Sequence, residues 1–329
     1  MRIRVRNVGI DIHETPNNLV GANTINGIVK HHKLKSPMIS PHQSELSKSE
    51  IAKIPLRSPL FQYVHIPRKD NKINEKSIKD AITEDYKKWI DKYPELITDF
   101  YYQYYPDYLP TNAERNAILD IQRDAEATIL SDYETNPEQT VEKFEEQILD
   151  FRNENKKYVP SPTLDIDIRT IGLFTKKVDK LIKHKFQRFN VIFRSILTYQ
   201  VNWIDLSHML LQKNIWCNVV GVPRRFLSGT NPSSLLSAPF LYGVHSTSLG
   251  YPIIRNKKNK KKISKYSFNN TTYNFDKVYS TSESESRTIS FNDHIDELKI
   301  ARKHIIKRTF YSKYIPSKSG LLEILNNVP

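Results

Sequence analysis

Residues 162–195 read PTLDIDIRTIGLFTKKVDKLIKHKFQRFNVIFRS, and their pattern decides the fold. PTLDIDI (162–168) alternates Leu164, Ile166 and Ile168 with Asp165 and Asp167, the period of a strand with one apolar face. Ile171, Phe174, Val178, Leu181 and Ile182 then recur at helical spacing. FNVIFRS (189–195) returns to alternation, with Phe189, Val191 and Phe193 on one side and Asn190, Ile192 and Arg194 on the other. Strand, helix and strand in close succession make one crossover unit, and such units build parallel sheets.

The same rhythm continues on both sides. IWCNVVGV (215–222) and LYGVHST (241–247) read as the next strands. Their starts, with those of the two strands above, fall at Leu164, Phe189, Ile215 and Leu241, spaced by 25, 26 and 26 residues. Upstream, LFQYVHI (60–66), ITDFYYQYY (97–105, with a helix as the competing reading) and TILSDYE (128–134) are strand candidates, and RTISF (287–291) supplies an eighth. Helical patterns lie between them. One ends before Pro94, and another takes Asn136 as N-cap and Pro137 as its first residue, with Val141, Phe144, Ile148 and Phe151 on one face. A further helix carries Trp203, Leu206 and Leu210, and a last one, capped by Asn292, carries Ile295, Leu298 and Ile305.

Eight strands with intervening helices predict an α/β (β/α)8 barrel, with an open parallel α/β sheet as the alternative. The expected division is an N-terminal strand and polar arm (1–58), the main barrel (59–249), a basic Ser/Asn-rich insertion (250–286), and a last strand with C-terminal helices (287–329).

The single cysteine, Cys217, excludes a disulfide framework and any zinc site built from several thiolates. No apolar run has transmembrane length, so the reading is a cytoplasmic protein without a membrane partner. The net charge of +14 is unevenly spread: residues 75–155 hold 20 Asp/Glu against 9 Lys/Arg, and the remainder is strongly basic. Such asymmetry fits a polyanionic partner, nucleic acid, with RNA ahead of DNA. Lys257, Lys258, Lys260, Lys261 and Lys262 form the densest basic run, and the helices at 176–188 and 299–313 are lysine-rich. No oligomeric state follows from the sequence.

Barrel enzymes work at the carboxyl ends of their strands. The strand reading places His65, Arg68, Asp132, Glu134, Asp167, Arg169, Arg194, Arg224, Arg225, His245 and Ser246 there. Asp132, Asp165 and Asp167 are the candidate nucleophile or base, and His245 the candidate acid or base. Arg169, Arg194, Arg224 and Arg225 are the candidate phosphate ligands. No Gly-rich phosphate loop, HExxH or GxSxG motif occurs, so no cofactor and no metal site is expected. The plainer reading of Asp165 and Asp167 is a structural network with Arg169, Arg194 or Asn190.

AILDIQRDAEATILSDYE (117–134), a helical pattern leading into a strand with acidic residues at its end, resembles the tRNA-guanine transglycosylase superfamily of TIM barrels. The resemblance implies a transferase of base-exchange type, tRNA modification, and a carboxylate attacking a ribose carbon. The superfamily's zinc cluster of three cysteines and a histidine has no counterpart here, and no DSGG-like segment is present. The leading expectation is an enzyme acting on a nucleic acid or nucleoside-type substrate. The alternatives are a metal-dependent barrel hydrolase of a small substrate, using His65, His245 and the aspartates, and a non-catalytic nucleic-acid-binding protein.

Overall fold

A computed structural model describes residues 4–14, 19–29, 32–40, 60–65, 84, 86–94, 97–102, 120, 130–134, 140–154, 160–165, 171–192, 200–222, 238–249, 264–268, 275–279, 283–317, 322 and 325. The chain opens with an antiparallel sheet of β1 (Arg4–Glu14), β2 (Leu19–Val29) and β3 (His32–Lys35). The α/β body follows. Its strands are β4 (Met38–Ser40), β5 (Leu60–His65), β6 (Ile97–Tyr102), β7 (Leu130–Glu134), β8 (Pro160–Asp165), β9 (Arg188–Ile192), β10 (Trp216–Val222) and β11 (Ser246–Leu249). Six of these form one sheet in the order β4-β11-β10-β9-β8-β7, and β5 and β6 form a separate parallel pair. Among the described residues these eight strands pair only in parallel. β6 lies beside β7, and β4 beside β5.

Among the described residues four helices are long enough to pack a face: α1 (Val141–Glu154), α2 (Ile171–Lys183), α3 (Gln200–Gln212) and α4 (Glu283–Ile306). Most of the apolar stripe residues read from the sequence are buried, with Ile182 partly so and Phe151 and Ile171 outside the described side chains. Phe144 and Ile148 of α1, Phe174, Val178 and Leu181 of α2, and Trp203, Leu206 and Leu210 of α3 share one core with Leu164, Phe189, Val191, Cys217 and Val219. Phe174 and Phe189 meet at 6.4 Å between ring centroids. Each such buried side chain is worth about 1.5–3 kcal/mol by transfer from water. This stripe-on-strand burial is what holds the helices on one face of the sheet. Glu145 ties α1 to α2 by accepting from Lys183 (3.2 Å) and Lys180 and pairing with His184 (2.6 Å). Hydrogen bonds from Lys180 and His184 hold its carboxyl down at about 2.

Several expectations are corrected. RTISF (287–291) is not a strand but lies inside α4, so Asn292 is mid-helix rather than a cap. The eighth parallel strand is β4, which the sequence reading had left in the polar arm. Three residues are too few to show a period, and only pairing with β11 identifies them as a strand. The seventh strand begins at Ser246, because 238–242 forms a 3-10 helix. Thr140, not Asn136, precedes α1, and its hydroxyl accepts from Lys143 N at 3.4 Å. The 250–286 segment holds an antiparallel hairpin, β12 (Ser264–Phe268) with β13 (Phe275–Tyr279), rather than only irregular chain. Among the described residues no helix is long and apolar enough to cross a membrane.

The N-terminal sheet docks at the amino end of the parallel strands. Ser207 Oγ of α3 accepts from Gly21 N at 2.9 Å, and Asn23 Nδ2 donates to Leu210 O at 3.2 Å. A Cβ on Gly27 would stand 3.3 Å from the Trp216 ring, so this backbone lies directly against the start of β10. Asp11 accepts from Phe310 N (2.6 Å) and Tyr311 N (3.2 Å), fixing the turn after α4 onto β1.

Candidate active site

Leu164, Phe189, Val191, Cys217 and Val219 face the helices, so alternation puts Asn190 and Asn218 on the opposite, inner face. Parallel register aligns Thr163, Asn190, Asn218, Ser246 and Met38 across β8, β9, β10, β11 and β4, with Glu134 of β7 opposite Thr163. Residues in one register row share a face, so Thr163, Asn190, Asn218 and Ser246 form a polar band that ends at the apolar Met38 on β4. Its members are wired together. Trp216 Nε1 donates to Ser246 Oγ (2.8 Å), and Ser246 Oγ donates to Asn218 Oδ1 (2.7 Å). Asn218 Nδ2 donates to Asn190 Oδ1 (3.0 Å), and Asn190 Nδ2 donates to Ser161 O (3.1 Å). All five residues are buried, and one level below lie buried Arg188 and Trp216. Ser161 Oγ is buried and has no partner among the described residues.

An indole N–H can only donate, so Trp216 orients Ser246, which orients Asn218, which orients Asn190. Every link then runs one way, from β10 to β8. A buried polar row of this kind costs stability unless satisfied, and its links meet that requirement.

The sequence candidates divide around this row. Asp165 closes β8 two residues beyond Thr163, in register with Ile192, toward the carboxyl end. Asp132 lies in β7 between Ser131 and Glu134, where the register with β8 shifts. Asp167, Arg169, Arg194, Arg224, Arg225, Lys257, Lys258, Lys260, Lys261 and Lys262 lie outside the described residues. Glu134, which the sequence placed in the ring without singling out, stands level with the polar row. Trp216, Arg188 and Ser161 were missed. The parity set by Phe189 and Val191 could have found Arg188.

His245 is not at a carboxyl end. It immediately precedes β11, one level below Ser246, so the order of the strand reverses the expected placement. Its ring Nδ1 accepts from Cys217 N at 2.9 Å, while its backbone N–H donates to Cys217 O at 3.0 Å. The ring stands 5.8 Å from Trp216. Burial lowers its pKa to about 3, so the ring is neutral at pH 7 and carries its proton on Nε2, because Nδ1 accepts. Burial likewise pushes the Cys217 thiol up, which makes it a packing group rather than a nucleophile. Among the described residues no three His, Cys, Asp or Glu side chains gather as a metal site.

No family profile and no curated protein matches the sequence. Among solved structures, the chain is similar to 3-dehydroquinate dehydratase from Geobacillus kaustophilus, at 12% identity and TM-score 0.48, over 91% of this chain and 99% of that one. It is also similar to thiamine phosphate pyrophosphorylase from Pyrococcus furiosus, at 9% identity and TM-score 0.40, over 79% and 96%. A third is the homocysteine methyltransferase MmuM from Escherichia coli, at 11% identity and TM-score 0.39, over 66% and 91%. Similarity this low carries no argument about chemistry. No transglycosylase structure is among these, and what the structure itself shows is an α/β architecture with a parallel sheet.

Proposed function

We propose that the eight parallel strands close into a (β/α)8 barrel and that the protein is an enzyme acting at their carboxyl ends on a nucleic acid or nucleoside-type substrate. The observation that carries the reading is the row Asn190–Asn218–Ser246 on the inner face, with Asp165 one step above it toward the carboxyl end. A fixed amide floor beneath a strand-terminal carboxylate is an arrangement that orients a polar substrate and presents a base or nucleophile to it. Chain-order neighbours β4 beside β5 and β6 beside β7, with β4 paired to β11, support closure. The basic balance of the chain supports an anionic substrate.

In this reading Asp165, with Asp132 and Asp167, supplies the nucleophile or base, and Arg169, Arg194, Arg224 and Arg225 hold phosphate. Lys257, Lys258, Lys260, Lys261 and Lys262 contribute attraction to the polyanion. His245 serves the amino-end packing and takes no part. The transglycosylase-like version predicts that a free base replaces one in RNA, the carboxylate bonding to the ribose carbon as the glycosidic bond breaks. Incubation of the full chain with unfractionated RNA and a radiolabelled purine base tests it. Label entering RNA, lost by at least a hundredfold in Asp165→Asn or Asp167→Asn proteins that unfold at the wild-type midpoint, is the expected result. No incorporation, or equal incorporation by folded variants, overturns the base-exchange reading.

A further inference from the structure

We infer that the part of one face of the N-terminal sheet that α4 leaves exposed, at the amino end of the parallel strands, is a docking surface for the phosphodiester backbone of RNA. Register builds the surface. Arg6, Asn26 and Lys35 stand in one row across β1, β2 and β3, and Arg4, Ile28 and Lys33 stand in the next. Residues opposite one another in an antiparallel sheet share a face, as do residues two apart on a strand. Four basic residues therefore occupy one face within two rows. The rows are ~7 Å apart along the strands, and the outer strands are ~10 Å apart. Neither row contains a carboxylate.

Arg302 extends this cluster from α4. Its guanidinium donates to Asn26 Oδ1 at 2.7 Å and also to Thr24 Oγ1 and Ser36 O, all neutral acceptors. By engaging the Asn26 carbonyl, Arg302 leaves that residue's NH2 as a donor between Arg6 and Lys35. Arg6, Lys33 and Lys35 are exposed, and among the described residues neither they nor Arg302 have a carboxylate partner. The basic helix at 176–188 is different. Lys177 is buried with its amine over the Phe144 ring, and Lys180 and Lys183 are engaged by Glu145. The sequence marks that helix as lysine-rich, but the structure leaves less of its charge available.

Cations with a spare amide donor suit phosphate oxygens, which bind side chains from any base sequence. A membrane surface would require apolar anchors beside the charge. Ile12 and Ile306 are the two exposed large apolar side chains among the residues whose burial is described, and neither lies in these rows, which hold one apolar residue, Ile28, beside four cations. The inference stands apart from the carboxyl-end chemistry, since a surface at the amino end holds RNA whatever reaction occurs at the other.

The test is fluorescence anisotropy of a labelled single-stranded RNA oligomer with the full chain, at several salt concentrations. The variant is Arg6→Gln/Lys33→Gln/Lys35→Gln. The control is Lys87→Gln/Lys143→Gln/Lys176→Gln, which removes the same charge from exposed positions elsewhere. The sheet variant should bind at least tenfold more weakly. Its log–log salt slope should be shallower by about 2, at ~0.7 per lost contact. The control should stay within twofold of wild type. Unchanged binding by a folded sheet variant, an equal loss in the control, absent RNA binding, or binding to anionic vesicles in place of RNA each overturns the proposal. Retained binding by Asp165→Asn is expected, so a failure of the enzymatic reading and a failure of this one give different results.

Discussion

Asn218 Nδ2 donates to Asn190 Oδ1 at 3.0 Å, and the two residues stand in register on adjacent parallel strands. The pair is the middle link of a row that starts at the Trp216 indole and ends on the Ser161 carbonyl. Because each link uses a different group of the same two amides, breaking the pair from either side strands buried polar atoms on the other. Asn218→Leu and Asn190→Leu should each destabilise the protein by about 1–3 kcal/mol per stranded group. The double variant should cost less than the two losses added together, with a coupling of about 0.5–3 kcal/mol. Urea unfolding of the four proteins measures it, and simple additivity would show that the link carries no energy.

His245 makes stability depend on pH. Its folded pKa of about 3 lies below the ordinary 6.5, so below pH 6.5 the unfolded chain binds a proton that the folded chain refuses. Stability is therefore full above 6.5 and falls as pH drops toward 3, at up to about 1.4 kcal/mol per pH unit. His245→Gln should flatten that arm between about pH 7 and pH 5. This window lies above the one in which Glu145, held at about 2 against an ordinary 4.5, loses its own contribution. Chemical denaturation at a series of pH values shows the difference, and parallel curves for the two proteins would contradict it.

Asp11 should hold the end of the chain against the first strand. Asp11→Ala removes the acceptor of two backbone amides, Phe310 N and Tyr311 N, at a cost of about 1–3 kcal/mol for each amide left buried and unpaired. Hydrogen exchange at 310 and 311 should accelerate well before global unfolding. Asp11→Asn retains an oxygen acceptor and should keep most of the protection. Equal exchange in Asp11→Ala and wild type would mean that the turn is held by other contacts.

Two glycines should respond with opposite signs to the same substitution. Gly243 has φ +79, and a Cβ there would stand 3.0 Å from Gly21 O, where the N-terminal sheet meets the body. Gly243→Ala should cost about 1–2 kcal/mol for the backbone conformation alone, with the contact adding to it. Gly172 lies in α2 with nothing within 4 Å of its Cβ position. Gly172→Ala should stabilise by about 0.5–1 kcal/mol. Thermal unfolding midpoints moving in the same direction would refute the contrast.

Local pattern alone determined most of the helix stripes, the strands β8, β9 and β10, and the inward parity of Asn190. A buried face must repeat with the period of its element, so alternation and helical spacing survive in the sequence whatever the rest of the chain does. β4 and the true start of β11 were decided only by tertiary structure. Met38–Ser40 is too short to show a period and becomes a strand by pairing with β11. RTISF was lost to α4 because a long helix overrides the local preference of five residues. The placement of His245 followed the strand boundary, which a shift of five residues moved to the other end of the sheet. The cationic rows of the N-terminal sheet were invisible for the same reason. Arg4, Arg6, Lys33 and Lys35 share a face only because register, which long-range hydrogen bonds fix, sets β1, β2 and β3 side by side.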